Sequence, residues 1–242
     1  MQETGNKKKY THRLSIRHHA DGFSLYIYNV LSGELLQRED VEALPASAMF
    51  DNLERQLVRP RLLGLDVGEV ELVSEQPITL VPLDDFRKGE MLPLYRLNFP
   101  SMPYTSADIR CEVLSGLEIV VLYPVPEELE QMLLRHYPQL QLRSAAGEAL
   151  EHFASMKHKK KNDMLHFYVQ VWEHSMAVCS LKGHKLHFAC TYPVSNDTDR
   201  IYYLLSAWKC LETDAGTPCV LCGASKEMAA EIRRFIATVT EE

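Results

Sequence analysis

Apolar side chains at every second position open the chain. Leu14 and Ile16, then Leu25 and Ile27, alternate with polar neighbours, the period of half-buried strands. Asp21-Gly22 divides these two runs, and Leu31-Ser32-Gly33-Glu34 divides the second from Leu35-Leu36. Asp-Gly between alternating runs signals a hairpin, so residues 11–38 predict a meander of three strands. The spacing then changes. Met49, Phe50, Leu53 and Leu57 recur at helical intervals behind Pro45 and ahead of Pro60, which predicts a helix over 45–57. Val70 and Leu72, then Ile78 and Leu80, return to alternation on either side of Pro77. Residues 84–103 carry Pro93, Pro100 and Pro103 and predict irregular chain with at most short helices. A hairpin follows over 109–114 and 117–123 around Ser115-Gly116. Next come a helix over 126–136 with Glu127 and Glu128 in its first turn, a short strand at 140–142 and a helix over 147–156.

Lys157, His158, Lys159, Lys160, Lys161, Asn162 and Asp163 form the most polar internal stretch and read as a solvated linker. Beyond it the opening order recurs. Three strands are predicted over 165–172, 176–181 and 185–191, with turns at Glu173-His174 and at Lys182-Gly183-His184. A helix over 195–211 follows, N-capped by Ser195 with Asp197 and Asp199 in its first turn. It carries Ile201, Leu204, Leu205 and Trp208 on one face. A short strand at 218–221 and a terminal helix over 225–239 complete the chain. The order β-β-β-α-β-α is thus read twice, although residue identities do not repeat.

That order resembles a ribonuclease H-like half, and two halves in tandem resemble the actin-like ATPase superfamily. The stretch Ile78-Thr79-Leu80-Val81-Pro82-Leu83-Asp84-Asp85-Phe86 is similar to an uncharacterised bacterial family of domain-of-unknown-function proteins with that fold. The expected class is therefore α/β. Residues 11–156 form a first half with an inserted hairpin and helix, and 164–242 a second, shorter half. The resemblance implies three nucleotide turns, one in the first hairpin of each half and one before the last helix, lining a cleft between the halves.

Set against that pattern, the motifs are degenerate. The superfamily ends its first strand on Asp and places Gly two residues on, so that amides and a carboxylate-held metal grip phosphate. Here Asp21 lies directly beside Gly22, inside the turn, and the second half has Trp172-Glu173-His174-Ser175-Met176 with neither residue type. Of the Gly pair expected before the last helix, Gly223 remains and the other place is Cys222 or Ala224. Asp21, Gly22, Gly223 and Ala224 are the vestigial cofactor-binding positions. Gly64-Leu65-Asp66-Val67-Gly68 has Asp-x-Gly spacing but follows a helix, and reads as an exit loop.

Composition changes this picture little. The 242 residues carry a net charge of −7 and 24% charged residues, ordinary for a globular protein and contrary to a broad nucleic-acid surface. No apolar run is long enough for a membrane helix, and no export signal is visible. The six cysteines, Cys111, Cys179, Cys190, Cys210, Cys219 and Cys222, mostly sit in apolar runs and read as reduced, buried hydrophobes of a cytoplasmic protein. Cys219-x-x-Cys222 lacks a second ligand pair for zinc. No histidine has a local acidic partner, and His187 falls on the solvated side of its strand. No catalytic residue, metal site or cofactor is assigned. The expectation is a non-catalytic binding or assembly module whose partner is another protein, not membrane or nucleic acid. The alternative is a divergent ATP-binding ATPase or kinase using the cleft.

Overall fold

The computed structural model describes residues 10–42, 48–59, 62, 64–156, 164–183, 185–214 and 216–242. Pro45, Pro60, His184 and the lysine-rich stretch at 157–163 lie outside them. Strands β1 (His12–His19), β2 (Gly22–Asn29) and β3 (Leu35–Glu42) form the expected meander, each antiparallel to the next. Leu14, Ile16, Leu25 and Ile27 are all buried, as the alternation requires. Helix α1 (Met49–Leu57) buries Leu53 and Leu57, and β4 (Val67–Ser74) takes its place beside β1.

An insertion follows. Strands β5 (Thr79–Pro82), β6 (Ile109–Leu114) and β7 (Ile119–Pro124) make a three-stranded antiparallel sheet of order β5-β7-β6. Across it lies α2 (Met91–Asn98), which tolerates Pro93 because a first-turn residue needs no intrahelical amide bond. Tyr95 anchors this small core with Val81, Ile109, Val120 and Leu122, and its hydroxyl donates to the Pro77 carbonyl at 3.0 Å. Helix α3 (Glu127–His136), strand β8 (Gln141–Ser144) and helix α4 (Ala145–Ser155) come next. Ser144 caps α4, its hydroxyl accepting from the Gly147 amide.

The second set comprises β9 (Leu165–Val171), β10 (Ser175–Lys182), β11 (Lys185–Pro193), α5 (Asp197–Cys210), β12 (Cys219–Cys222), α6 (Lys226–Ile232) and β13 (Val239–Glu241). Strand β10 pairs antiparallel with both neighbours, while β12 runs parallel to β9 and to β13. The two five-stranded sheets then have orders β3-β2-β1-β4-β8 and β11-β10-β9-β12-β13. In both, the third, second, first, fourth and fifth strands of the set lie side by side. This is the duplicated ribonuclease H-like architecture of the actin-like ATPase fold.

Two sequence expectations need correction. The terminal helix stops at Ile232 rather than near residue 239, and the β-branched run Thr238-Val239-Thr240 becomes an edge strand. Its pairing begins where the Cys219 amide donates to the Thr238 carbonyl at 2.8 Å. Helix α5 is capped by Asn196, whose side chain accepts from the Asp199 amide at 3.0 Å, and not by Ser195.

By packing, the chain divides into two compact units. One comprises Met1–Val73 and Glu127–Arg143, the other Ser74–Pro126 and Ser144–Glu242. Strand order and packing thus cut the chain differently, since the insertion and α4 belong to the second unit. The core of that unit gathers Phe167, Val169, Met176, Val178, Leu204, Trp208, Leu221, Met228 and Ile232. Each buried side chain of this size contributes about 1.5–3 kcal/mol. No described helix is long and apolar enough to cross a membrane.

Candidate functional site

In the second unit, the turn joining β9 to β10 is closed by its own backbone. The Trp172 amide donates to the Ser175 carbonyl at 2.9 Å, leaving Glu173-His174 at the tip. From α5, Arg200 reaches this turn and donates to the carbonyls of Trp172 (3.2 Å) and Glu173 (2.7 Å). The same guanidinium bonds Asp197 Oδ1 at 2.7 Å, and only 13% of the Arg200 side chain is exposed. Asp197 Oδ2 accepts from Ser225 Oγ at 2.9 Å. These bonds, the one from Arg200 foremost, hold the Asp197 carboxyl below the usual carboxylate range although partial burial opposes them. Ser175 Oγ, buried, donates to Glu75 Oε2 at 2.7 Å and ties the turn to the insertion. The hairpin therefore presents carbonyls, and a resident cation occupies them. A phosphate needs donors at that place.

Beside it, Gly223 follows β12 with φ +73°, and a Cβ there would lie 2.7 Å from the Val171 carbonyl oxygen. The positive φ and this close approach both demand glycine. Ala224 packs against the core of the unit. Ser225 caps α6 by accepting from the Met228 amide at 3.0 Å while donating to Asp197. One serine thus joins the Gly223 turn to the Arg200 network.

The first hairpin is built differently. His19 pairs with Gly22, so Ala20-Asp21 is a two-residue turn, and Gly22 has φ 136°. His19 is buried; its Nδ1 accepts from the Asp21 amide at 3.3 Å, so Nε2 carries the proton and faces Ser24 Oγ at 3.2 Å. Ser24 in turn donates to Asp40 Oδ1 at 2.7 Å, and Arg38 closes on Asp40 at 2.9 Å. Because the hydroxyl gives its proton to a carboxylate rather than to the histidine, this row is a brace and not an activated nucleophile. His18 lies beside it, buried and stacked on Phe23 at 5.0 Å, with Nδ1 unpartnered. Burial, with His19 adding, pushes His18 down to about 4. Asp21 is exposed at the tip.

Asp66 sits at the far end of the same sheet. Its carbonyl accepts from the Thr11 and His12 amides (3.3 and 3.2 Å) where β1 begins, a full strand away from the β1–β2 turn. Gly68 makes room for Tyr10, whose ring a Cβ there would strike. Strand entry and aromatic packing account for the Asp-x-Gly spacing.

The sequence matches the family described as protein of unknown function (DUF3822) over residues 2–239. The chain belongs to this family. A Bacteroides thetaiotaomicron protein with an actin-like ATPase fold and unknown function superposes with a TM-score of 0.77, covering 97% of this chain and 92% of its own at 21% identity. That likeness shows the fold. The cytoplasmic domain of EpsL, from the Vibrio cholerae type II secretion system, covers 87% of this chain and 81% of its own at 12% identity, with a TM-score of 0.46. The ethanolamine utilization protein EutJ of Carboxydothermus hydrogenoformans covers 95% and 84% at 8% identity, with a TM-score of 0.47. No curated protein matches this chain.

Within this member of the family, the residues that shape the second turn, Asp197, Arg200, Ser225 and Glu75, went unsigned in the sequence. Arg200 lies 28 residues from Trp172 and Glu75 lies 100 from Ser175, and no local pattern links them. The cysteines are all free thiols. Cys179, Cys219 and Cys222 are buried as expected, but Cys111 and Cys190 are half-buried and Cys210 is exposed on the last turn of α5, a correction to uniform burial. Burial pushes Cys219 up to about 12 with Cys222 adding, and Cys222 up to about 11 with Glu242 adding. Such thiols are poor nucleophiles. His187 is exposed, as its place in the alternation requires.

Proposed function

We propose that this protein is a non-catalytic actin-like binding or assembly module in which the nucleotide turns have become structural. The observation that carries the reading is Arg200, seated on the Trp172 and Glu173 carbonyls and paired with Asp197. The second-half phosphate turn is thereby occupied from within. The braced first turn, with Asp21 displaced to the tip, supports the same view. The partner in this reading is another protein, and Leu97 and Val113, 79% and 48% exposed on the insertion, are apolar side chains that such a partner would cover. Six free thiols fit a reducing, cytoplasmic setting.

The test is thermal unfolding with ATP and magnesium. No change in melting temperature is expected, whereas ligand at 100 times its Kd would add about 2.7 kcal/mol. A clear shift that disappears in Gly223→Trp overturns the proposal in favour of a divergent ATP-binding protein. Arg200→Ala should lower stability by about 2 kcal/mol, because it strips two carbonyls and Asp197 of their donor.

A further inference from the structure

We propose that His152, Cys222 and Glu242 form a binding site for a divalent cation of intermediate softness, Zn2+ being the ion their donor set fits. One imidazole nitrogen, the Cys222 sulfur and one Glu242 carboxylate oxygen all lie within 4.8 Å of one another. Three separate elements of the second unit supply them, and each is held in place by its own packing. Cys222 is the last residue of β12, paired in register with Gln170 of β9. Glu242 follows β13, its amide donating to the Leu221 carbonyl at 2.9 Å, so it is set one step beyond the β12–β13 pairing. His152 comes from α4, whose next residue, Phe153, stacks on Tyr168 of β9 at 5.1 Å. Tyr168 pairs with Val220, two positions before Cys222. Residues two apart on a strand share a face, so α4 and the Cys222 sulfur meet on the same side of the sheet.

The same geometry explains why Cys219-x-x-Cys222 is not a chelating pair. Residues three apart on a strand point to opposite faces, and Cys219 belongs to the core with Phe167 and Trp208. Cys222 therefore finds partners that are distant in sequence instead. Thiolate, imidazole and carboxylate together are a zinc donor set, and three protein ligands leave one position for water. A thiolate ligand disfavours Mg2+ and Ca2+, which take oxygen donors. Ligand atoms about 2.0–2.3 Å from zinc stand about 3.3–3.8 Å apart in a tetrahedron. Closing from the observed spread is a small movement of the exposed His152 and Glu242 side chains, with buried Cys222 as the fixed point.

Titration of the whole chain with Co2+, followed by absorption, reads the site directly. One equivalent should produce a thiolate-to-cobalt charge-transfer band that one equivalent of Zn2+ removes. Cys222→Ser should abolish the band, while Cys210→Ser, at the exposed thiol, should leave it intact. His152→Ala and Glu242→Ala alter exposed side chains and keep the fold, and each should weaken Zn2+ binding at least about tenfold. They carry the test even where Cys222→Ser fails to fold. Absence of the band in the unaltered protein overturns the proposal. So does a band that survives Cys222→Ser, or zinc affinity unchanged in both alanine variants.

Discussion

The β1–β2 and β9–β10 hairpins hold equivalent places in two sheets of one strand order, yet they are fixed by opposite means. The first is braced from inside its own meander, where His19, Ser24 and Asp40 form a row across three adjacent strands. The second is held by residues from elsewhere in its unit, with Arg200 of α5 on its carbonyls and Glu75 beneath its serine. The first arrangement needs only local register. The second depends on tertiary packing, so it is the one that substitution at a distance disturbs. One turn is fixed by strand chemistry and the other by a cation from a helix.

The sharpest way to break this comparison lies at Gly223. Its positive φ and the 2.7 Å approach to Val171 O permit no side chain without moving the end of β9. Gly223→Val should cost about 3 kcal/mol or more, the sum of left-handed strain and a backbone clash. Urea unfolding measures it. A loss below about 1 kcal/mol would show that β9 and the second turn give way easily. Gly33→Ala is the matching control, since its φ is also positive, +70°, but nothing lies within 4 Å of its Cβ. It should lose strain energy only, about 1 kcal/mol.

The first hairpin answers to pH. His18 takes up a proton at about 4 in the folded chain, against 6.5 when free. Between those values the unfolded chain binds more protons, so stability rises with pH and is lost as pH falls from 6.5 towards 4. The full contribution is up to about 3 kcal/mol. His18→Leu removes the titrating group and keeps an apolar contact for Phe23. The stability difference between the two proteins should then change across that window and be flat above pH 7. A difference independent of pH would mean that His18 is hydrated and that the brace is looser than its burial implies.

The contrast also shows why some of the molecule was legible in its sequence and some was not. The three-strand meanders announce themselves because apolar residues such as Leu14, Ile16, Leu25 and Ile27 recur with period two on one face, although the small polar Ser15 and Ser24 beside them are buried as well. Strand β9 shows it less, since its consecutive buried residues Phe167, Tyr168 and Val169 are all large and apolar, with no polar position to mark the second face. The fifth strand of the second sheet was hidden because three residues, Val239–Glu241, are too short to show a period. Its counterpart β8 overlaps the strand expected at 140–142 only at Gln141 and Leu142, and no local pattern shows it completing the set. At the candidate site, the Gly223 turn could be found from local chemistry, whereas the Arg200 plug could not. A guanidinium on a helix looks solvated until the fold brings carbonyls to it. Ser195 has the hydroxyl of a cap, yet a cap is chosen by backbone geometry as well as side chain.

That last point yields the smallest effect and a clean discrimination. Asn196 has extended backbone, φ −158° and ψ 172°, which turns its side-chain oxygen onto the Asp199 amide. Ser195 contributes only its own amide, donated to Asp199 Oδ2 at 3.1 Å, and any residue except proline would supply that. Asn196→Ala should therefore cost about 1 kcal/mol, while Ser195→Ala should stay within about 0.5 kcal/mol. Ser225→Ala, at the start of α6, should exceed both, because its hydroxyl caps the Met228 amide and also holds Asp197 in place for Arg200. Chemical denaturation of the three variants ranks them directly. If Ser225→Ala cost no more than Asn196→Ala, the serine would be an ordinary cap, and the link between the Gly223 turn and the plugged hairpin would carry no energy of its own.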